Sequence, residues 1–290
     1  MKFDAENTRI LEKGGVTLPK RARDVNKYDC GRVLIIGGCT GYTGAPVMCA
    51  MGALRAGAGL VSVGVPASIY PIVAAKLLEA MPFPLPADDA GRLSPDGEDR
   101  LLERIEKCDA CVIGPGLGRG DGITALVRAV ARNSAVPLIM DADALYSAAL
   151  DMSIVKNASC PVIVTPHTGE FGRMGGVLTG NPAADARDFS DKYGCVTVLK
   201  GPDTAVAFPG GETVLSRFGN PGMAVGGTGD VLAGLAGGLC AQLPIEQGVT
   251  AAVYIHALAG DACRDRLGEY SMLPGDMIEA IPEVTKNMIR

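Results

Sequence analysis

Several residue types are scarce or missing in this sequence of 290 residues. It has no tryptophan, only 4% aromatic residues and only two histidines. Lysine and arginine together number 27 against 32 acidic residues, a formal net charge of −5, and no basic cluster stands out. Because proteins that hold nucleic acid or an anionic membrane surface need concentrated positive charge, we expect neither as a partner.

No segment of the sequence has the pattern of a signal peptide or a membrane span. The opening residues, MKFDAENTRI, lack an apolar core. The most apolar long stretch, residues 222–244, contains Asp230 and is dense in glycine, which disfavours burial in lipid. We therefore expect a cytoplasmic protein.

The nine cysteines are scattered and odd in number. Most lie in apolar runs, where a free thiol packs as a small hydrophobic side chain, and this usage fits a reducing compartment. Cys108 and Cys111 have C-x-x-C spacing, but no second pair follows and histidine is scarce. Core packing is therefore favoured over zinc or redox chemistry, and we assign no metal-binding residue.

The pattern of apolar residues predicts one α/β domain over residues 1–290. With 48% hydrophobic residues the chain can bury a large core. Two of its β-rich runs, 32–36 and 162–165, are apolar without alternation, as in strands covered on both faces. We predict a three-layer fold with helices on both faces of a mainly parallel sheet, and strands over 32–36, 60–65, 110–113, 137–141, 162–165 and 196–200.

The second half of the chain departs from this alternation. Residues 204–208 and 212–216, joined by a proline-glycine-glycine turn, predict an antiparallel hairpin. Helices are predicted after it over 227–242, 245–266 and 274–289. The segment 81–96, rich in proline and aspartate, is predicted to be a surface loop.

Unusual residues follow five of the predicted strands. The carboxyl ends of parallel strands share one edge of a sheet, where α/β proteins bind ligands. For any one segment alone, glycine or proline that merely ends a strand is the simpler interpretation. Five together favour a single ligand site, formed by the segments that begin at Gly37, Gly114, Asp141, Thr165 and Lys200.

The most informative segment is N-P-G-M-A-V-G-G-T-G-D, residues 220–230, directly before a predicted helix. Glycines at 226, 227 and 229 allow backbone N–H groups to converge on an anion at the helix N-terminus. The segment therefore predicts a phosphate-binding site. Small residues in the helix would let it pack closely beneath that site, namely Ala233, Gly234, Ala236, Gly237 and Gly238.

Asp230 lies in the first turn of this helix, where the helix dipole favours its ionised form. A carboxylate is repelled by a bound phosphate, so its presence there requires a reason. Capping of the helix is the common role of such a residue, but a cap needs no preceding run of glycines. We therefore predict that Asp230 acts as a base.

Other polar residues at the strand ends have two interpretations each. Lys200 and Gly201 are suited to contact a phosphate or ribose, but alone they are a weak signal. Asp141 and Asp143 fit water-mediated Mg²⁺ binding and capping of the next helix equally well.

No G-x-x-x-x-G-K-[ST] motif occurs, and the glycines after residue 36 have the wrong spacing for G-x-G-x-x-G. A P-loop kinase and a Rossmann dehydrogenase are therefore disfavoured.

The two histidines lie in different settings. His167 follows a predicted strand, beside Gly169 and Glu170, and we expect it to contact the substrate. His256 lies in an apolar helical run, and we expect it to be a hydrogen-bonded core residue.

A series of motifs occurs in a fixed order along the chain: V-L-I-I-G-G, G-Y-T-G-A-P, L-R-A-G-A-G-L-V, G-P-G-L-G, D-A-D-A-L, T-P-H-T-G-E, V-L-K-G, G-N-P-G-M-A-V-G-G-T-G-D-V-L-A-G and H-A-L-A-G-D. This series resembles that of the ADP-dependent NAD(P)H-hydrate dehydratases, a branch of the ribokinase-like superfamily. The resemblance covers about residues 13–282, and G-G-T-G-D with its flanks is its most diagnostic part. The short segment before the first predicted strand indicates a dehydratase domain alone.

The resemblance implies a ribokinase-like fold and the repair of hydrated NADH and NADPH. ADP or ATP, with Mg²⁺, would phosphorylate the stray hydroxyl of the nicotinamide ring, and loss of phosphate would restore the dihydronicotinamide; with ADP, AMP and phosphate are released. A homo-oligomer such as a tetramer is also implied. Asp230 would be the catalytic base. The substrate would contact Ala45, Gly116, Gly118, His167, Asn220 and Asp230, and the nucleotide would contact Lys200, Gly201, Pro202, Asp203, Thr204, Gly226, Gly227, Thr228 and Gly229.

Two departures from the family pattern are expected on the substrate side: Asn-Lys-Tyr at residues 26–28, and Thr168.

Two other functions compete with the dehydratase. An ordinary ribokinase-like kinase for a vitamin precursor or sugar would use the same anion site and Asp230. A nucleotide-binding sensor without turnover would gain nothing from a carboxylate beside the phosphate.

Overall fold

A single ten-stranded sheet runs through the protein in a computed structural model that describes residues 8–290. The opening residues, for which the sequence predicts no signal peptide, lie mostly outside the described residues. The strands are β1 (Thr8–Ile10), β2 (Arg32–Ile36), β3 (Leu60–Pro66), β4 (Met81–Leu85), β5 (Ala110–Ile113), β6 (Leu138–Met140), β7 (Val162–Val164), β8 (Val196–Leu199), β9 (Thr204–Ala207) and β10 (Thr213–Ser216).

Helices cover both faces of this sheet. They are α1 (Gly44–Arg55), α2 (Tyr70–Ala74), α3 (Glu98–Ile105), α4 (Asp121–Asn133), α5 (Asp143–Leu150), α6 (Ser153–Lys156), α7 (Thr168–Arg173), α8 (Pro182–Tyr193), α9 (Thr228–Cys240), α10 (Ile245–Leu267) and α11 (Pro274–Lys286). One apolar cluster joins the sheet to α1, α2 and α9–α11, and a second joins it to α3–α8.

The strand order is β1-β10-β9-β8-β7-β6-β5-β2-β3-β4. Strands β4, β3, β2, β5, β6, β7 and β8 are parallel, whereas β9 is antiparallel to both β8 and β10. Val33 and Ile35 of β2 face one cluster and Leu34 and Ile36 face the other, which explains its unbroken apolar run. The predicted three-layer fold and the predicted hairpin are therefore confirmed.

The prediction of a loop over residues 81–96 is wrong for its first part. Residues Met81–Leu85 form the edge strand β4, parallel to β3. Pro82 and Pro84 make this segment look like a loop, because proline cannot donate a hydrogen bond to a neighbouring strand. At the edge of a sheet the outward N–H has no strand to bond, so proline is tolerated there and blocks further pairing.

The other predicted elements are present, with ends shifted by a few residues. The last helix ends at Lys286, three residues earlier than predicted, and the three-residue strand β1 was not predicted. All nine cysteines are free thiols, and Cys108 is buried in the core, where burial raises its pKa to about 12. Within residues 8–290, no helix combines the length and apolar character needed to cross a membrane.

Close packing of α9 against α1 fixes the position of the α9 N-terminus. A Cβ atom on Gly234 would lie 2.0 Å from the carbonyl oxygen of Cys49, and one on Gly238 would lie 2.6 Å from the Cβ of Ala56. Gly237 packs in the same way against Val112 of β5. The predicted role of the small residues in α9 is thereby confirmed, since larger side chains would separate these elements.

Candidate active site

The N-terminus of α9 presents unpaired backbone donors at the carboxyl edge of the sheet. Gly227 has φ of 101°, a left-handed conformation that favours glycine, and α9 begins at Thr228. The N–H groups of Gly226, Gly227, Gly229 and Asp230 donate to no group in the described part of the chain. This geometry supports the predicted anion site.

The hydroxyl of Thr228 is also without a partner. Its Oγ1 atom is buried, the residue is 7% exposed, and no described residue hydrogen-bonds to it. A buried polar atom of this kind calls for a ligand or ordered water, because an unpaired hydroxyl is unfavourable. A side-chain donor therefore joins the backbone donors at the helix N-terminus.

An ion pair between Lys200 and Asp141 connects the ends of β8 and β6. The Nζ atom of Lys200 lies 2.9 Å from Oδ1 of Asp141, which also accepts a 2.6 Å hydrogen bond from the Thr165 hydroxyl. The Glu170 carboxylate lies 4.0 Å from the same Nζ. Burial opposes the charge of Lys200, but Asp141 and Glu170 outweigh it and hold the pKa of Lys200 above its ordinary value.

The Lys200 ammonium group lies beside the anion site. A Cβ atom on Gly229 would be 3.4 Å from Nζ of Lys200 and 3.8 Å from Oδ2 of Asp141. The lysine that was predicted to contact the nucleotide is thus held at the α9 N-terminus by a carboxylate. Sequence reasoning did not find this pair, because its members are 59 residues apart along the chain.

Asp230 carries a carboxyl group with an unusually high proton affinity. Its pKa is raised to about 7, chiefly by burial and further by the charges of Asp141 and Asp143, while Lys200 acts in the opposite direction. This shift is opposite to the one that the helix dipole alone would produce, since desolvation dominates. A pKa near neutrality suits a base that accepts and releases a proton.

Of the two interpretations of Asp141 and Asp143, capping of the next helix is contradicted by the structure. The residue before α5 is Ala142, and no side chain caps this helix. Asp143 instead accepts hydrogen bonds from the backbone N–H of Gly118, at 3.0 Å, and from Arg119, at 2.8 Å. Ala142 has φ of 50°, a strained conformation for alanine that the surrounding structure enforces.

Three of the predicted substrate residues, Ala45, Gly116 and Gly118, form a second group at the same edge. Gly116 has φ of 60°, and a Cβ atom there would lie 3.0 Å from Ala45 and from Tyr42. Because Asp143 holds the backbone of Gly118, this group is joined to the end of β6. Its contacts with a substrate stay a prediction.

His167 lies at the carboxyl edge of the sheet, as the sequence predicts. Its side chain is 54% exposed, and its Nδ1 atom accepts a 3.0 Å hydrogen bond from the N–H of Gly169 at the start of α7. Backbone pairing joins it to Lys200. Thr168, next to it, also lies on this edge, as expected.

The prediction for residues 26–28 is wrong, because they precede β2 and contact Gly59 before β3, at the opposite edge.

Asn220 and His256 hold the glycine-rich segment in place through hydrogen bonds. Asn220 donates a 3.2 Å hydrogen bond to Asp261 of α10 and accepts one from the N–H of Gly222. His256 is 8% exposed, and its Nε2 atom lies 2.9 Å from the carbonyl oxygen of Thr228. Burial lowers its pKa to about 4, so this histidine is neutral and hydrogen-bonded in the core, as predicted.

The remaining predicted nucleotide residues form an open turn between β8 and β9. Gly201 and Pro202 are exposed, and the Thr204 hydroxyl donates a 3.1 Å hydrogen bond to the carbonyl oxygen of Gly201. Asp203 lies 3.5 Å from Arg217. The turn thus borders the α9 N-terminus through Lys200, and its nucleotide contacts stay a prediction.

Two sizeable cavities lie away from this site. One, of about 660 Å³, is lined at the amino ends of the strands by residues such as Arg9, Glu212 and Glu246. The other, of about 420 Å³, is lined by residues such as Arg32 and Arg104. Neither contains the unpaired donors or the perturbed carboxyl group of the α9 N-terminus.

Comparison with known proteins relates the whole arrangement to one family. The NAD(P)H-hydrate dehydratase family model matches residues 33–283. A bifunctional NAD(P)H-hydrate repair enzyme of Moorella thermoacetica is 40% identical over 277 residues, covering 93% of this chain and 52% of that protein. The chain thus spans about half the length of such relatives.

Two solved structures have the same fold. A ribokinase-like superfamily protein of Enterococcus faecalis superposes with a TM-score of 0.84 and 29% identity, covering 100% of this chain and 99% of the other. The ADP/ATP-dependent NAD(P)H-hydrate dehydratase of Bacillus subtilis, co-crystallised with ATP and Mg²⁺, gives a TM-score of 0.82 and 30% identity, covering 98% and 100%. The predicted ribokinase-like fold is confirmed.

Proposed function

Because this chain belongs to the NAD(P)H-hydrate dehydratase family, we propose that it restores NADH and NADPH from their hydrates in an ADP-dependent reaction that releases AMP and phosphate. The observation that carries this proposal is the position of Asp230. Its carboxyl group, with a pKa raised to about 7, lies in the first turn of a helix whose N-terminal N–H groups find no acceptor within residues 8–290. A base beside an anion site is what phosphoryl transfer to a hydroxyl requires.

Each residue of the site would have its own role in phosphoryl transfer. Asp230 would accept the proton of the hydroxyl on the hydrated ring as that oxygen attacks the terminal phosphate. The N–H groups at Gly226, Gly227 and Gly229, together with Lys200, would stabilise the charge that develops on the transferred phosphoryl group. Loss of phosphate from the ring, together with a proton from the neighbouring ring carbon, would then form the double bond of the dihydronicotinamide and release both to solvent.

Asp141 would keep the Lys200 ammonium group in place during this step. It is almost fully buried and bonded to both Lys200 and Thr165, so its orientation is fixed before a ligand arrives. Ala45 and Gly116, in the segments after β2 and β5, would hold the hydrated dinucleotide together with His167, in the turn after β7.

Mg²⁺ belongs to the proposed reaction as the companion of the nucleotide. Within residues 8–290, no cluster of three or more histidine, cysteine or acidic side chains is placed to bind a metal. Asp141 and Asp143 already pair with Lys200 and Arg119. We propose that Mg²⁺ enters with the phosphates of the nucleotide.

The test is direct. Hydrated NADH or NADPH is incubated with the protein, Mg²⁺ and either ADP or ATP, and recovery of the dihydronicotinamide absorbance is followed. Recovery that depends on nucleotide supports the proposal. If a folded sample shows no recovery but forms a stable phosphate ester of a vitamin precursor or sugar, the protein is instead a small-molecule kinase, which the same anion site would serve.

Three further features belong to this proposal: a single domain over residues 1–290, a homo-oligomer such as a tetramer, and a cytoplasmic location. Light scattering coupled to size-exclusion chromatography measures the oligomeric state. Limited proteolysis tests the single domain, which should resist cleavage into separately stable fragments.

A further inference from the structure

Two buried side-chain hydroxyls have no hydrogen-bond partner within residues 8–290. One is Thr228 Oγ1 at the predicted anion site. The other is Ser216 Oγ, in a residue that is 1% exposed and that no motif of the sequence singles out. Both unpaired hydroxyls lie towards the same edge of the sheet, because Ser216 is the last residue of β10 and β10 ends at the carboxyl edge.

Ser216 is the direct neighbour of a predicted nucleotide residue. In the antiparallel pair of β9 and β10 it stands opposite Thr204, so the two side chains project from the same face of the sheet. Val214, two residues earlier on that face, belongs to the apolar cluster of α9 and α10. The hydroxyl therefore lies on the side of the sheet that carries the α9 N-terminus.

The strand order indicates which part of a nucleotide would reach Ser216. Lys200 follows β8 and lies beside Gly229, so the phosphates would be held there. Strand β10 is two positions further along the sheet, a distance of roughly 10 Å at the usual spacing of strands. A nucleotide with its phosphates at Lys200 would therefore extend its nucleoside part over β9 and β10.

A hydroxyl retained only for folding has a different environment in this protein. Ser190 of α8 is fully buried, and its Oγ atom donates to the carbonyl oxygens of Cys195, at 2.7 Å, and Ala207, at 3.2 Å. Ser216 has no such bonds. Since an unpaired buried hydroxyl destabilises the free protein, its presence is explained if a ligand completes its bonding.

We propose that Ser216 is a nucleotide-binding residue whose hydroxyl hydrogen-bonds to the nucleoside part of the bound nucleotide. This inference rests on the proposed function, and it adds to the site a residue that lies outside every predicted motif. It also separates two tasks at the carboxyl edge: the α9 N-terminus and Lys200 hold phosphate, and the ends of β9 and β10 hold the nucleoside.

The test uses the full chain and the variant Ser216→Ala, with binding of ADP and AMP measured by titration calorimetry. Loss of one hydrogen bond should weaken the binding of both nucleotides by roughly 3- to 10-fold, and by the same factor, because they share the nucleoside. The melting temperature of the free variant should be unchanged or higher, because the unpaired hydroxyl is gone. Ser216→Cys, which bonds weakly, should behave in the same way.

Ser190→Ala is the matched control and should show the opposite pattern, a lower melting temperature with unchanged nucleotide affinity. The inference is overturned if Ser216→Ala leaves both affinities unchanged, or if it weakens ADP but not AMP, which would place the contact at a phosphate. Either result leaves the proposed function intact, provided that the wild-type protein binds ADP and repairs the hydrates. A wild-type protein that binds no nucleotide would overturn both.

Discussion

The two edges of the central sheet differ in the state of their polar groups more than in the space they offer. At the amino edge, a cavity of about 660 Å³ is bordered by Arg9 and Glu212, but these two residues pair with each other at 2.9 Å. At the carboxyl edge, backbone N–H groups and the Thr228 hydroxyl have no partner in the described part of the chain, and Asp230 has a raised pKa. Unsatisfied donors and a perturbed carboxyl group, rather than volume, identify the site.

The largest expected effect is a loss of turnover when Asp230, at the carboxyl edge, is replaced. Asp230→Asn keeps the shape of the side chain but cannot accept a proton, so turnover should fall by about 10²- to 10⁴-fold. Nucleotide affinity should be equal or tighter, because a negative charge beside phosphate is removed. Turnover, affinity and melting temperature are measured on one preparation.

Glu246→Gln serves as the matched change at the amino edge. Glu246 is an exposed carboxylate that lines the larger cavity, so its neutralisation should leave turnover unchanged. A stable Asp230→Asn protein that keeps most of its turnover, or a Glu246→Gln protein that loses it, would reverse the assignment of the two edges.

A second prediction concerns the ion pair that the carboxyl edge contains. Asp141→Asn leaves Lys200 without its closest carboxylate in a mostly buried position, which should lower the free energy of unfolding by on the order of 3 kcal/mol. Chemical denaturation measures the loss. Combined with Lys200→Met, the change should cost less than the sum of the single variants. Additive losses would show that the two side chains act independently.

A third prediction tests the turn that borders the anion site. Gly201 has an ordinary φ, and a Cβ atom there would meet only the carbonyl oxygen of Asp203, at 3.6 Å. Gly201→Val should therefore fold normally but weaken nucleotide binding by about tenfold, because the side chain would fill space needed by the ligand. Calorimetric titration and a melting curve measure the two effects, and Gly201→Ala should lose less. Unchanged nucleotide affinity would show that this turn only ends β8 and does not contact the nucleotide.

The smallest expected effect is a shift in the pH profile. A base with a pKa of about 7 in the free enzyme makes kcat/KM rise as pH increases through that value, because only the ionised form accepts a proton. Asp143 contributes to the raised pKa of Asp230, so Asp143→Asn should move this rise to lower pH. Asp151→Asn is the control, because the half-buried Asp151, which pairs with Arg128, is not among the charges that raise the pKa of Asp230. A shift to higher pH in the Asp143 variant would contradict the electrostatic account.

Local sequence patterns predicted the parts of this site that lie close together along the chain. The glycines before Asp230 and the unbroken apolar runs are local features, and both led to correct structural predictions. The edge strand β4 was missed because the prolines of its sequence resemble those of a loop, and only its position beyond β3 makes them acceptable.

The sequence by itself determined the layered fold, the glycine-rich N-terminus of α9 and the presence of a carboxylate within it, because backbone freedom and hydrophobic periodicity are local properties. Tertiary structure alone decided the rest. The pKa of Asp230 depends on burial and on the charges of Asp141, Lys200 and Asp143, which are far from it along the chain. The pairing of Lys200 with Asp141, and the unpaired hydroxyl of Ser216, follow from which strands are neighbours in the sheet. Distances between residues far apart in sequence are fixed by packing, so no local pattern can encode them.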